Sequence, residues 1–336
     1  MLAFIVRRSL LGLLVIFGVL LVTFALTHIL PSDPAGQWAG LRATPEQRAK
    51  AVKELGLDKP LYAQLGIFIK RLAQGDLGES LRSHRPVAKE IITSLPATLE
   101  LVGGAILVAL LVGVPLGMLS AKHKDRWQDH LARVVSVGSV SMPTFWLGML
   151  LQLVFFRWLH LLPLNGQVSI YYQAVDPVPR TTGFLNLDCI IAGNWGALFD
   201  HVQHLILPTI TLAGYSLAIL TRMTRSTMLE ILNEDYITAM RSYGVAERVV
   251  LWRFALKNTL GPMATVVALV LGGLIVSTFL VESVFNWAGI GSYVASAVAS
   301  SDYPAIVGVT LVSAIAYVFL NLLADIVVAL DPRVRL

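Results

Sequence analysis

Cysteine and charged residues are scarce in this sequence. The single cysteine, Cys189, excludes an intrachain disulfide, and no group of Cys and His residues has metal-ligand spacing. Only 14% of the 336 residues are charged, whereas soluble domains have about a quarter. No segment reads G-x-x-x-x-G-K-[ST], and neither HExxH, GxSxG nor a paired-carboxylate arrangement is present. The composition excludes a soluble domain, and the missing phosphate-binding loop excludes ATP binding of that type.

Long apolar runs account for most of the chain, which is 56% hydrophobic. Each run approaches the ~20 residues needed to cross a bilayer as a helix. The first follows Arg7 and Arg8 but is too long for a signal peptide and lacks a cleavage site, and Pro31 and Pro34 end it. The sequence therefore predicts an all-α membrane protein with six spans, at residues 9–30, 99–119, 134–156, 205–220, 263–285 and 306–330.

Lys and Arg are distributed unevenly among the short loops. The second and fourth loops are basic, the fifth has no Lys or Arg, and the third has only Arg180. Because cytoplasmic loops are enriched in Lys and Arg, both termini are predicted to be cytoplasmic. This topology also accounts for the net charge of +5 without a nucleic-acid partner. The basic residues that support this orientation, in the second loop, the fourth loop and the C-terminal end, are Lys122, Lys124, Arg126, Arg133, Arg222, Arg225, Arg241, Arg248, Arg253, Lys257, Arg333 and Arg335.

Three regions follow from this topology. Residues 1–31 form the first transmembrane helix, and residues 32–97 form an extracytoplasmic region with helices over Pro45–Leu55 and Leu61–Ala73. Residues 98–336 form a five-helix core that includes a cytoplasmic loop, 222–262. The extracytoplasmic region is interpreted as a small cap, and contact with a substrate or receptor is the alternative.

The loop 222–262 is the main polar interruption of the core. Asn233 is predicted to cap a short helix that has Glu234 and Asp235 in its first turn. Gly244 stands where a helix end needs a left-handed residue. A second amphipathic helix follows, and Pro262 is predicted to open the next span. The pattern fits a lever that contacts a soluble partner, or else a basic helix lying on the bilayer surface.

The residue order of this loop is similar to a known family. EDYITAMRSYG, followed by ERVVLWRFALKNTLGP, resembles the EAA loop of ABC importer permeases, most closely the dipeptide/oligopeptide/nickel permeases. The runs GDLG, PATLEL, SMPTFWLG, ESVFNWAGIG and DPRVR extend the resemblance over nearly the whole chain. Met240, Tyr243 and Ala288 depart from the family pattern, which usually has alanine, lysine and proline there.

The resemblance implies the type I permease fold of ABC importers in the bacterial inner membrane. It implies that the loop helix couples to an ATPase subunit through Glu234, Asp235, Tyr236, Ala239, Met240, Arg241, Tyr243 and Gly244. It also implies a second permease subunit, expected to be a different chain, two ATPase subunits and an extracytoplasmic substrate-binding protein. ATP and Mg²⁺ would be bound by the ATPases, so no cofactor is expected in this chain.

Few ionisable residues fall inside the predicted spans. Glu282 and Asp325 lie near span ends and are interpreted as structural rather than functional. This scarcity disfavours an ion-coupled secondary carrier, and the prolines within spans disfavour a passive scaffold. Di- or oligopeptides are the expected solutes; nickel chelates, glutathione and haem are the alternatives. Candidate path residues, for which helix packing is the alternative role, are Ser139, Ser141, Phe145, Trp146, Tyr215 and Ser277.

Overall fold

The computed structural model describes residues 2–29, 34–40 and 43–329. Within these ranges the chain is helical and contains no β-strand. Three stretches have the wider π-helical form: Ala109–Gly113, Gln152–Trp158 and Val250–Ala255. The α-helices are α1 Leu2–Ile29, α2 Pro34–Ala39, α3 Pro45–Leu55, α4 Leu61–Ala73, α5 Val87–Val108, α6 Val114–Lys122, α7 Trp127–Ser141, α8 Thr144–Leu151, α9 Ile170–Ala174, α10 Leu185–Ile191, α11 Trp195–Leu232, α12 Asp235–Ser242, α13 Glu247–Val249, α14 Leu256–Val284, α15 Ile290–Ala299 and α16 Tyr303–Ala329.

Among the described residues, five helical segments are long and apolar enough to cross a membrane. They are Ile5–Ala25, Val87–Lys122, Trp195–Leu232, Glu247–Val284 and Tyr303–Leu323. The third predicted span, 134–156, is not one continuous helix. Trp127–Ser141 and Thr144–Trp158 meet at an angle of 109°. Met142 is extended there (φ −90°, ψ 131°) because Pro143 disfavours a helical conformation for the residue before it.

Several predicted boundaries also shift. The second span begins at Val87 rather than 99, so the predicted division between residues 97 and 98 falls inside α5. Pro262 lies within α14 and does not open it, because the helical run begins at Glu247 and continues to Val284. Pro31, Arg333 and Arg335 lie outside the described residues.

The two predicted helices between the first spans are confirmed. α3 begins at a capping box in which the Thr44 hydroxyl accepts from Gln47 N and Thr44 N donates to Gln47 Oε1. It ends at Gly56, which has a positive φ of 69°. α4 follows after Pro60. These signals are local in sequence, which is why the sequence alone predicts both helices correctly.

Helix α11 is the centre of the bundle. It packs against α5, α6, α7, α8 and α14. One core cluster on it joins Leu101, Leu207, Leu212, Leu274 and Phe285, all nearly inaccessible to solvent. Helix α1 lies at the periphery against α16, and an ion pair of 3.1 Å joins Arg8 Nε to Asp325 Oδ2. The paired Asp325 supports the structural interpretation of this carboxylate.

Glu282 connects two of the runs that resemble the permease family. Its buried carboxylate accepts hydrogen bonds from Thr98 Oγ1 (2.7 Å) and Ser292 N (2.9 Å). A Cβ at Gly289 would lie 2.5 Å from Glu282 Cδ, so only glycine leaves room for the carboxylate there. Trp287 Nε1 donates to Ala97 O over 2.9 Å. Glu282 thus holds α5, α14 and α15 together, in agreement with the structural interpretation.

Candidate coupling site and translocation path

The helix α12, Asp235–Ser242, lies between the two longest helical runs of the core. Its N-cap is Glu234 (φ −71°, ψ 148°), and Asp235 occupies its first turn. The predicted cap at Asn233 is wrong. Because α11 continues to Leu232, Asn233 ends that helix instead, and its Nδ2 donates to Leu229 O over 2.9 Å.

One face of α12 is fixed to the bundle. Ile237 is fully buried, and Met240 packs partly buried against the same cluster. That cluster includes Met228 and Leu232 of α11 and Val250 of the following π-helical stretch. Full burial of a side chain such as Ile237 contributes roughly 1.5–3 kcal/mol. Ile237 was not among the predicted coupling residues, although its spacing of three residues from Met240 places the two on one side.

The other face of α12 is open. Ala239 is exposed, Tyr243 is 88% exposed and Tyr236 is 38% exposed. The three lie on one side of the helix, because they are three, four and seven positions apart. Met240, four residues after Tyr236, is at the edge of this face and is partly buried against the core cluster. We call Tyr236, Ala239 and Tyr243 the docking face.

Tyr236 is also bonded within the chain. Its hydroxyl accepts a hydrogen bond of 2.8 Å from Asn258 Nδ2, near the start of α14. Asn258 also donates to Phe254 O in the π-helical stretch. The docking face is therefore connected directly to the run that becomes a membrane span. No sequence pattern marked Asn258, since it is 22 positions from Tyr236.

A glycine corner and an ion pair follow α12. Gly244 has a φ of 76°, as predicted, and Val245 N donates to Met240 O across the turn. Arg241 Nη2 lies 2.9 Å from Glu247 Oε1, and Arg241 Nε lies 3.2 Å from Glu247 Oε2. This bidentate pair closes the corner between α12 and α13. Arg241 therefore has an acidic partner in its own chain.

A second polar cluster lies beside α11, and its centre is Asp129. The carboxylate is fully buried and accepts two hydrogen bonds from Arg225 (2.8 and 2.9 Å) and a closer one from Arg133 Nη2 (2.6 Å). The Ser120 hydroxyl donates to it as well. In the sequence these arginines indicated topology alone, and nothing marked Asp129. A buried acid among charged residues has the same sequence pattern as a solvent-exposed acid.

The predicted path residues are placed on the surface of this single chain and not around one cavity. Phe145, Trp146 and Tyr215 are 40%, 43% and 53% exposed. Ser139 and Ser277 donate to helix carbonyls four residues earlier, the bond expected of a packing hydroxyl. Ser141 lines a cavity of about 490 Å³ together with Arg133, Arg222 and Arg225. Their part in a path stays a prediction.

Within the described residues, no group of three or more His, Cys, Asp or Glu side chains is arranged to hold a metal ion. Some buried ionisable groups lie beside a group of opposite charge, and others, such as Glu282 and Asp302, accept hydrogen bonds from hydroxyl and backbone groups. Besides Asp129, His201 Nε2 lies 3.3 Å from Glu100 Oε2, and both residues are buried.

Two family models match the chain. Residues 113–336 match the binding-protein-dependent transport system inner membrane component, and residues 1–102 match the N-terminal region of the same type of membrane component. A probable D,D-dipeptide transport system permease protein of Escherichia coli (strain K12) is 42% identical over 332 residues, covering 98% of this chain and 97% of the relative. A dipeptide transport system permease protein of Alkalihalophilus pseudofirmus is 40% identical over 336 residues, the full length of both chains. A glutathione transport system permease protein of E. coli O6:H1 is 34% identical over 337 residues, covering 100% of this chain and 99% of the relative.

Proposed function

Because the chain belongs to the family of binding-protein-dependent transport system inner membrane components, we propose that it is a permease subunit that passes short peptides into the cell. Its helices form a multi-pass membrane protein with the fold of this family. It is a transport subunit and not an enzyme. ATP hydrolysis belongs to partner subunits, which would bind ATP and Mg²⁺.

The docking face is the observation that supports ATP-driven transport most directly. α12 is fixed on one side by Ile237, closed at its end by the Arg241–Glu247 pair and bonded to α14 through Asn258. Its other side is open. A helix that is rigid towards the spans and free towards the cytoplasm suits the transmission of a push from an ATPase, since a soft contact would absorb the movement.

The proposed assembly contains a second permease subunit, which is a different chain, two ATPase subunits and an extracytoplasmic binding protein. In this assembly the chain lies in the bacterial inner membrane with both termini in the cytoplasm. The short-loop distribution of Lys and Arg supports this orientation. The Lys122–Arg133 segment and the docking face then lie on the ATPase side.

Peptides are proposed as the solute because relatives at 40–42% identity over the full chain are named as dipeptide permeases. Glutathione is the second candidate, favoured by the 34% identical relative. It carries peptide bonds and free carboxylates, so the same path chemistry serves both. Nickel chelates and haem have no comparable support. An ion-coupled carrier remains disfavoured by the scarcity of ionisable groups along the spans.

Reconstitution tests this proposal. The chain is co-purified with its permease and ATPase partners and inserted into proteoliposomes with the binding protein outside. Uptake of a radiolabelled dipeptide is expected only with ATP inside, and oxidised or reduced glutathione tests the second candidate. Uptake driven by a proton gradient without ATP, or nucleotide turnover by the pure polypeptide, would contradict the assignment.

A further inference from the structure

A polar cavity of about 410 Å³ lies on the predicted outer side of the bundle. It is formed by the loop before α5, the first turns of α5, helix α15 and the turn before α16. Small-molecule sites have volumes of about 300–1,000 Å³. The side chains that matter here are Arg82, Arg85, Glu90, Tyr293 and Asp302, and none belongs to the coupling site or the predicted path.

The loop that supplies the two arginines is rigidly built. Asp302, 2% exposed, accepts from the Ser80 hydroxyl, from Leu81 N (3.1 Å) and from Arg82 N (3.3 Å). Ser80 N donates to Arg85 O over 2.9 Å, which closes the loop on itself. The Arg82 backbone is thus held by Asp302, 220 residues away in sequence, and the Arg85 backbone by Ser80 within the loop. Such a loop presents its side chains at fixed positions.

The charges in the cavity are balanced but unpaired. Among the described residues, the side chains of Arg82 and Arg85 make no ion pair and no hydrogen bond. Glu90, half-buried on α5, has no ion-pair partner there either. The Asp302 carboxylate already accepts hydrogen bonds from the loop. The two guanidinium groups and two carboxylates give the cavity no net charge. Because groups of both signs are available, a ligand that carries both charges would complement the cavity better than a simple anion or cation.

A buried phenol adds a hydrogen-bond donor. Tyr293 Oη is inaccessible to solvent and makes no hydrogen bond of normal length and angle in the part of the chain described, although the Glu90 carboxylate lies close to it. Burial, with the nearby Glu90 carboxylate, raises the pKa of Tyr293, so the phenol remains protonated. A buried donor without a partner is costly in a folded protein, and a ligand oxygen in the cavity would satisfy it.

We propose that this cavity is a binding site for a small zwitterion, specifically for the charged ends of a short peptide. Arg82 and Arg85 hold the carboxylate, since guanidinium groups bind carboxylates bidentately. Glu90 holds the ammonium group. The assignment rests on the proposed peptide import and on the outward orientation of this face. In that setting the cavity receives the peptide at the outer mouth of the permease.

The test is equilibrium dialysis of ¹⁴C-labelled L-alanyl-L-alanine against the assembled complex in nanodiscs without the binding protein. Saturable binding is expected. L-alanyl-L-alanine amide, which lacks the carboxylate, and N-acetyl-L-alanyl-L-alanine, which lacks the ammonium, should each compete at least tenfold more weakly. These analogues probe the wild-type protein, so the result does not depend on the folding of any variant.

The variant Arg82→Gln/Arg85→Gln should weaken dialanine binding at least tenfold. Lys89→Gln is the matched control, because Lys89 is exposed in the first turn of α5, directly after the loop, and lies outside the cavity lining; dialanine binding by this variant should be unchanged. No saturable binding, or equal binding by the double variant, would overturn the inference even if peptide uptake is normal. Arginine-dependent binding by a complex that imports no peptide would keep this site and reject the proposed function.

Discussion

Arg225 on α11 donates two hydrogen bonds, of 2.8 and 2.9 Å, to the fully buried carboxylate of Asp129 at the start of α7. The pair ties the first turn of α7, which begins the bent helix pair, to the helix that leads into α12. Removing one partner of a buried ion pair leaves the other charge uncompensated. The pair is therefore expected to hold the N-terminal part of α7 and the C-terminal part of α11 in a fixed relation.

Asp129→Asn should lower the stability of the purified protein by about 3 kcal/mol, the lower end of the range for breaking buried pairs. The lower end applies because the Arg225 side chain keeps 22% of its exposure. Thermal unfolding in detergent measures the effect. Asp125→Asn is the control, since Asp125 also contacts Arg133 but is 68% exposed. Equal effects of the two variants would contradict the assigned role of burial.

The sequence predicts this molecule well where the signal is local. Helices α3 and α4 and the Gly244 corner are determined by proline and glycine positions, capping residues and apolar runs. The resemblance of the sequence motifs to ABC importer permeases predicts the family. It fails where distant residues decide. Asn233 has the chemistry of an N-cap, but the length of α11 makes it a C-cap. Asp129, Asn258 and the Arg82–Glu90 cavity depend on contacts between residues far apart, which a single sequence does not display.

Gly244→Val should uncouple uptake from ATP hydrolysis, while Gly244→Asn should retain most of both. A Cβ at Gly244 would meet no atom within 4 Å, so only the φ of 76° resists substitution. Asparagine tolerates this region far better than a β-branched residue, for which left-handed backbone costs about 1–2 kcal/mol. Uptake and ATPase rates in proteoliposomes are the readouts. Normal coupling in the valine variant would show that the corner does not need this conformation.

Gly291→Ala should destabilise the packing of α15 against α14 by about 1–3 kcal/mol, the usual cost of overpacking. The added Cβ would lie 2.7 Å from Phe279 Cα and 2.9 Å from Glu282 Oε2. Gly273→Ala on α14 is the matched control, because no atom lies within 4 Å of its added Cβ. Thermal unfolding should separate the two variants, and equal midpoints would contradict the packing argument.

Cysteine labelling tests the orientation. Ala174→Cys should react with an impermeant maleimide from outside and Lys124→Cys only from inside, since both residues are exposed. Gly166 is a poor labelling site, as its φ of 84° strains any side chain. The native Cys189 should stay unlabelled because it is fully buried and burial raises the pKa of its thiol. The reverse labelling pattern would overturn the topology.

The docking face provides the test of force transmission. Ala239→Asp should release the ATPase subunits during purification. Ala239 is exposed in this chain, and an ATPase bound there would bury the new charge without a partner. Tyr236→Asp should do the same and should also lose the bond to Asn258. Arg241→Ala should mostly leave the ATPases attached, since Arg241 already pairs with Glu247 within the chain.

Two controls separate docking from folding. Thr238→Asp places the same charge on the exposed side of α12 turned away from Tyr236 and Tyr243, and should leave the ATPases attached. Tyr236→Phe keeps the aromatic surface and removes the hydroxyl bonded to Asn258. It should retain the ATPases and lower uptake per ATP hydrolysed, because the docking face would lose a direct link to α14. Asp variants of the docking face that assemble and transport normally would place the coupling contact elsewhere on the cytoplasmic surface.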